Sequence, residues 1–205
     1  MHILSNNEFV KIGGVLTILS GFLFGLTFNQ PNRLLYAWAG ILGTLLIVPM
    51  ALTVKEFLES EQNRLYLFVG VNSELTGAIL LISLYTGALM LEFLNNTNFV
   101  APDIVTAFQA AADSIRYLSI NLGSFLTMGL GGLLFGYSSL NGNKLPRWHS
   151  YLGIAVGLLN FTWLVWWQIS FFNPGQIGFM IPFIAYILFI VWQIILGIYM
   201  IRAKE

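Results

Sequence analysis

Six long apolar stretches, separated by short polar links, dominate the chain of 205 residues. The stretches lie at about 12–28, 34–54, 66–94, 115–137, 151–172 and 177–201. A helix needs about 20 apolar residues to cross a bilayer, and a backbone in lipid must satisfy its own hydrogen bonds, which a helix does within one segment. The sequence therefore predicts an all-α integral membrane protein, a six-transmembrane-helix bundle that forms a single domain over 1–205.

Composition narrows the classes of function. Only 9% of the residues are charged and 57% are hydrophobic, whereas soluble domains carry about 25% charged residues. Because six spans use almost the whole chain, no room is left for a soluble catalytic domain. The net charge is zero and the chain has no basic run, so it lacks the basic surface that nucleic-acid-binding proteins carry. Nucleic acid is therefore not expected as a partner.

The distribution of lysine and arginine predicts the orientation. If both termini are cytoplasmic, the links on that side carry seven basic residues and the opposite side carries only Arg33 and Arg116. Cytoplasmic links are enriched in lysine and arginine, so we expect both termini inside. The external link between the third and fourth spans reads as helical from Pro102, because Asp103 follows in the first turn and apolar residues recur at three- and four-residue steps.

Glycines predict where the helices touch, since membrane helices associate through close packing at small residues. The first span carries a stripe of Gly14, Gly21 and Gly25, and the third carries Gly70 and Gly77. The remaining glycine positions of this kind are Gly129, Gly132, Gly136, Gly153 and Gly157. Tight packing is the simpler interpretation of these stripes, and a substrate groove is the alternative.

Glu74 is the clearest ionisable candidate inside a span. It falls on the stripe between Gly70 and Gly77, so we expect it to point into the bundle, and a charge at a helix centre costs about 2.5–3.5 kcal/mol. Residues at similar depth predict a buried polar belt, which we define as Glu74, Asn72, Asn160, Gln193 and Ser20. Glu74 is then either a proton-accepting or ligand-orienting carboxylate, or a hydrogen-bonded residue that fixes helix register.

A second polar cluster is predicted at the external end of the bundle. Glu92 closes the third span, Asp113 and Arg116 open the fourth, and Asn121 follows one turn later. Asp113 and Arg116 are three residues apart and can pair on one helix face, and Arg116 could also reach Glu92. The cluster is either a site for an anion or a lipid headgroup, or an ion pair that locks a hinge.

The fifth span is rich in tryptophan, with Trp163, Trp166 and Trp167. Such a run suggests a flat hydrophobic ligand such as a quinone or pigment, although aromatic residues are also ordinary near a membrane interface.

Several chemistries lack their residues. The chain has no cysteine, which excludes disulfides and thiolate metal sites. Haem ligation usually needs paired histidines inside the bundle, and His2 and His149 are both predicted near the cytoplasmic surface. No metal site and no cofactor are predicted, and a bound lipid is the one small-molecule component that fits.

The chain resembles the bacterial six-helix proteins grouped as domain of unknown function 4386. The resemblance rests on Lys11-Ile-Gly-Gly-Val, on the segment from Ala110 to Arg116 with Asn121, and on Leu134-Phe-Gly-Tyr followed by Leu145-Pro-Arg-Trp148. It implies the six-helix topology, a bacterial cytoplasmic membrane, and Arg116, Asn121, Pro146 and Arg147 as family positions. His149 and Ser150 depart from the apolar residues expected there, and the resemblance implies no activity.

Three functions remain open. The short links and few buried charges favour an accessory or structural subunit, whose partners would be membrane lipids and other membrane subunits or copies of itself. The alternative is a binder or transporter of a small amphiphile (lipid, quinone or pigment) that uses the polar belt or the fifth helix. An intramembrane enzyme is the third, but the sequence offers no paired nucleophile and base, so no catalytic residue is predicted.

Overall fold

Every regular element in the described part of the chain is a helix. A computed structural model describes residues 6–27, 31–97, 101–140, 142, 144–169 and 176–203, and at 117, 166–169, 176–180 and 182 it describes the backbone alone. The α-helices are α1 Asn6–Thr27, α2 Arg33–Leu58, α3 Arg64–Asn96, α4 Pro102–Leu118, α5 Gly132–Leu140, α6 Arg147–Ile169 and α7 Gln176–Arg202. The prediction of an all-α protein is confirmed.

The helices have the length and apolarity of membrane spans. Five stretches among the described residues meet both criteria: α1, α2, α3, the continuous helical stretch Pro102–Leu140, and Phe183–Arg202 within α7. Helix α6 is a sixth long helix of 23 residues. The chain is therefore an integral membrane protein, whereas the crossing number and the side of each terminus stay predictions.

The six long helical stretches pack as a ring in chain order. They are α1, α2, α3, Pro102–Leu140, α6 and α7. Each of α1, α2 and α3 contacts the next, α3 contacts the stretch that leads into α5, and that stretch contacts α6. Helix α7 then packs on both α6 and α1, which closes the ring. The largest fully buried apolar side chains are Trp192, Phe24, Phe135, Phe189, Ile47, Met50, Leu67, Leu196 and Met200. These core residues lie on α1, α2, α3, α5 and α7.

The link between α2 and α3 is shorter than the sequence predicts. Helix α2 continues to Leu58, and the Lys55 ammonium donates to the Glu59 carboxylate at 2.8 Å. This hydrogen bond lowers the pKa of Glu59. The buried Asn63 amide donates to the backbone oxygens of Leu58 at 2.9 Å and Ser138 at 3.1 Å, so the link is attached to the end of α5.

A wide helical segment separates α4 from α5. Residues Ser119–Gly123 and Phe125–Gly131 are π-helical, with the single α-helical residue Ser124 between them. The predicted helical span at about 115–137 is found within the continuous stretch Pro102–Leu140, but its π-helical turns were not predicted. π-helical turns are rare and occur often at functional sites. We call residues Ser119–Gly131 the π segment.

Most of the predicted glycine contacts are found. A Cβ atom on Gly14 would lie 2.6 Å from the Gly197 carbonyl oxygen, and one on Gly157 would lie 2.6 Å from that of Gly129. These distances leave no room for a side chain, so the backbones of α1 and α7, and of α6 and the π segment, are in direct contact. Gly25 is the exception, since no atom of the described residues lies within 4 Å of an added Cβ. Its predicted contact is not found in the described part of the chain.

Candidate functional site

Glu74 lies inside the bundle, as its glycine neighbours predict. Its side chain is 0% exposed, and a Cβ atom added to Gly131 would overlap its carboxyl group. Among the described residues, neither carboxyl oxygen has a hydrogen-bond partner. The adjacent Ser73 hydroxyl instead donates to the Leu126 carbonyl oxygen at 2.6 Å. The carboxyl group of Glu74, on α3, therefore lies directly against the backbone of the π segment.

Asn160 and Gln193 are buried in two other interfaces. Asn160 donates to the Val156 carbonyl oxygen at 3.0 Å, and its Cβ faces Gly129 on the π segment. Gln193 donates to the sulfur atom of Met50 at 3.2 Å, between α7 and α2. Asn160 and Glu74 thus contact the same segment, at two glycines that are two residues apart in the sequence. Gln193 belongs to a separate contact.

Two members of the predicted belt lie elsewhere. Asn72 is on the exposed face of α3, where its amide donates to the Phe68 carbonyl oxygen at 2.8 Å. It therefore does not share the interior with Glu74, because depth along a helix does not fix the direction of a side chain. Ser20 is buried and donates to the Gly43 carbonyl oxygen at 3.0 Å, between α1 and α2. The belt is not one continuous cluster.

The tryptophan-rich part of α6 is described only in part. Trp163 is buried, with 7% of its surface exposed. The side chains of Trp166 and Trp167 lie outside the described residues, so the predicted flat-ligand site stays a prediction.

A buried histidine contact was missed by the sequence analysis. His149 is 0% exposed, its ring stacks on that of Trp192 with centroids 5.7 Å apart, and its Nε2 atom lies 3.1 Å from the Trp192 carbonyl oxygen. The prediction that His149 lies near the cytoplasmic surface stays a prediction, but its burial was not foreseen. Helix α6 begins at Arg147, and its first turn already packs on α7. The Ser139 hydroxyl donates to that of Ser150 at 2.6 Å nearby.

The predicted external cluster forms with different partners. Glu92 pairs with Arg33 at 4.0 Å, not with Arg116. Among the described residues, Asp113 and Arg116 form no ion pair within 4 Å, with each other or with any other residue. Asn121 is buried at the start of the π segment, with 7% of its surface exposed. The Asp113–Arg116 pair that the helix spacing allows is therefore not formed, and both residues line a cleft that the sequence did not reveal.

That cleft has a volume of about 340 Å³ and lies between the beginning of α2, the last turns of α3, and α4. Its lining residues are Arg33, Tyr36, Ser83, Leu84, Gly87, Ala88, Leu91, Phe108, Gln109, Ala111, Ala112, Asp113, Ile115 and Arg116. We call it the Arg116 cleft. Small residues keep it open, since none of the described atoms lies within 4 Å of a Cβ added to Gly87. Glu92 is not among the lining residues.

The Arg116 cleft combines two kinds of surface. Leu84, Leu91 and Phe108 provide apolar walls, and the charged groups of Asp113 and Arg116 come from α4. Tyr36 of α2 lines the same space as Arg116. Arg33 and Tyr36 were not part of the predicted site, although the antiparallel order of the second and third spans already places Arg33 at the same end as Glu92.

A second cleft of about 480 Å³ lies at another end of the bundle. Residues near both termini line it, with Asn6 and Asn7 from α1 and Arg202 and Ala203 from the end of the described chain. Neither cleft is lined by Glu74, Asn160 or Gln193. Among the described residues, no three His, Asp or Glu side chains are grouped so that they could hold a metal ion.

Comparison with known proteins adds no assignment. The chain matches no family model, no curated protein and no solved structure. The resemblance to domain of unknown function 4386 therefore stays a prediction, and the functional argument rests on the geometry of the site.

Proposed function

We propose that this protein binds a membrane amphiphile in the Arg116 cleft. The acidic headgroup of the ligand, a phosphate or a carboxylate, contacts Arg116, and its hydrocarbon chain lies along Leu84, Leu91 and Phe108. This is the binder that the sequence analysis keeps as an alternative, located at the external polar cluster instead of the Glu74 belt.

One observation carries the proposal: an arginine without an ion-pair partner faces a cleft with apolar walls. Arg116 forms no ion pair within 4 Å among the described residues, and it lines the cleft together with leucine and phenylalanine side chains. Guanidinium groups bind phosphate and carboxylate with directed hydrogen bonds. An acidic headgroup attached to an apolar chain matches both parts of this surface.

The position of the cleft along the helices supports the same ligand. Arg33 is the first residue of α2, and Leu91 lies five residues before the end of α3. Spanning helices place such terminal residues near the level of the lipid headgroups. A ligand in the cleft would therefore keep its polar part at the interface and its chain toward the hydrocarbon.

The test compares two arginine variants of the purified protein. We expect Arg116→Gln to weaken the binding of a defined phospholipid about tenfold, because a charge-assisted contact is lost. Arg147→Gln is the matched control, since Arg147 is exposed and lies outside the cleft. Native mass spectrometry during a lipid titration in detergent gives both dissociation constants, and equal constants would contradict the proposal.

The same preparation tests the accessory-subunit function. A particle that contains this chain with other polypeptides, and with no phospholipid whose binding depends on Arg116, would favour a subunit role. A particle of this chain with phospholipid that is lost in the Arg116→Gln variant would favour the binder.

A further inference from the structure

The charges of the Arg116 cleft balance each other. Arg33 faces Glu92 at 4.0 Å, so its charge is already partly matched by a residue beside the cleft. Asp113 and Arg116 then remain as one negative and one positive group that line the same space. A ligand with a single negative charge would find Arg116 favourable and Asp113 unfavourable.

The two groups are close in the helix but not in contact. Positions three apart on a helix have Cβ atoms about 5–6 Å from each other, yet the charged atoms of Asp113 and Arg116 are not within 4 Å among the described residues. Both side chains are exposed. Each therefore has free hydrogen-bonding capacity toward a molecule in the cleft.

We propose that the Arg116 cleft selects a zwitterionic headgroup, phosphoethanolamine, carried by a phospholipid. This inference rests on the proposed function, because it names the ligand of the same cleft. The phosphate of the headgroup accepts hydrogen bonds from Arg116, and the primary ammonium group donates to the Asp113 carboxylate.

The hydrogen-bond chemistry distinguishes this headgroup from the other common ones. A primary ammonium has three N–H donors for a carboxylate, whereas the quaternary ammonium of choline has none and is usually held by a cage of aromatic rings. A choline headgroup would have to use the two aromatic side chains among the described lining residues, Tyr36 and Phe108, whereas a primary ammonium can use the Asp113 carboxylate. Glycerol headgroups carry no positive charge, so they leave Asp113 without a partner beside a phosphate.

The test measures headgroup preference with phospholipids of identical acyl chains. We expect the native protein to bind phosphatidylethanolamine about tenfold more tightly than phosphatidylglycerol or phosphatidylcholine. Asp113→Asn removes the negative charge, so its binding of phosphatidylethanolamine should fall to the level of phosphatidylglycerol while phosphatidylglycerol binding is kept or improved. Asp103→Asn is the control, since Asp103 is exposed on the same helix and does not line the cleft.

The outcomes separate the two proposals. If Asp113→Asn leaves the headgroup preference unchanged while Arg116→Gln still weakens binding of all three lipids, the zwitterion inference is overturned and the amphiphile site stands. If Arg116→Gln has no effect on any lipid, both are overturned. Soluble phosphoethanolamine should compete only weakly because it lacks the acyl chain, and displacement of lipid at equal concentration would assign the cleft to the free headgroup.

Discussion

At the scale of single residues, the Glu74 carboxyl group is the least compatible with its surroundings. It is fully buried, and neither oxygen has a hydrogen-bond partner among the described residues. A buried polar group without a partner costs about 1–3 kcal/mol. The carboxyl group and the Cγ atom of Glu74 both lie at the place where a Cβ on Gly131 would be.

Replacement of Glu74 by methionine should therefore stabilise the protein. Glu74→Met keeps a linear side chain of similar length and removes both unsatisfied oxygens, so we expect the free energy of unfolding to rise by about 1–3 kcal/mol. Glu74→Gln keeps two polar atoms in the same place and should change it little. Both values can be measured by reversible unfolding in mixed detergent micelles. A Met variant less stable than the Gln variant would show that the carboxyl group has a partner and would support the predicted ligand-orienting role.

At the scale of helical elements, the π segment lies between two close backbone contacts. On one side it meets α3, where Gly77 faces the Gly123 carbonyl oxygen, and on the other it meets α6, where Gly157 faces that of Gly129. Membrane helices gain stability from such approaches because dispersion contacts and not hydrophobic burial drive their association. The segment is therefore held by neighbours that cannot accept a larger residue.

Alanine substitutions should distinguish the loss of a close backbone contact from the change in helix propensity. A Cβ atom on Gly157 would lie 2.6 Å from the Gly129 carbonyl oxygen and 2.8 Å from the Leu133 nitrogen. Since these are backbone atoms, Gly157→Ala should lower the free energy of unfolding by about 1–3 kcal/mol. Gly25→Ala is the control, because its Cβ meets no described atom within 4 Å and alanine favours helix by about 1 kcal/mol. Thermal unfolding in one detergent ranks them, and two variants of equal stability would contradict the packing.

The elements also show what the sequence could predict. Apolar length and Pro102 predict helices and the start of α4, since these depend on local chemistry. The π segment could not be predicted, because an apolar pattern does not distinguish π-helical from α-helical turns, and the contacts of the segment with α3 and α6 are tertiary. At the candidate site, the position of Asp113 and Arg116 on one helix was predictable, whereas their separation and the pairing of Glu92 with Arg33 depend on how α2, α3 and α4 pack.

At the scale of the whole molecule, the first and last described helices have ends that lie at the same end of the bundle. Asn6 from α1 and Arg202 from α7 line one cleft together with Glu56 near the end of α2. Arg33 at the start of α2 pairs with Glu92 near the end of α3. Helix α2 has 26 residues, about 39 Å at 1.5 Å per residue, which exceeds the hydrocarbon thickness of about 30 Å. The two groups of residues therefore lie at opposite ends of a helix that is long enough to cross the hydrocarbon layer.

The predicted orientation with both termini in the cytoplasm can be tested directly, since the native chain has no cysteine and each introduced thiol is the only one. We expect a membrane-impermeant maleimide to label Asn95→Cys in intact cells, and Glu61→Cys and Ala203→Cys only after permeabilisation. The expectation follows from the basic residues concentrated in the links of one side. Labelling of Glu61→Cys alone in intact cells would reverse the orientation. Labelling of Glu61→Cys and Ala203→Cys from opposite sides would contradict an even number of crossings, because the chain between them would then cross an odd number of times.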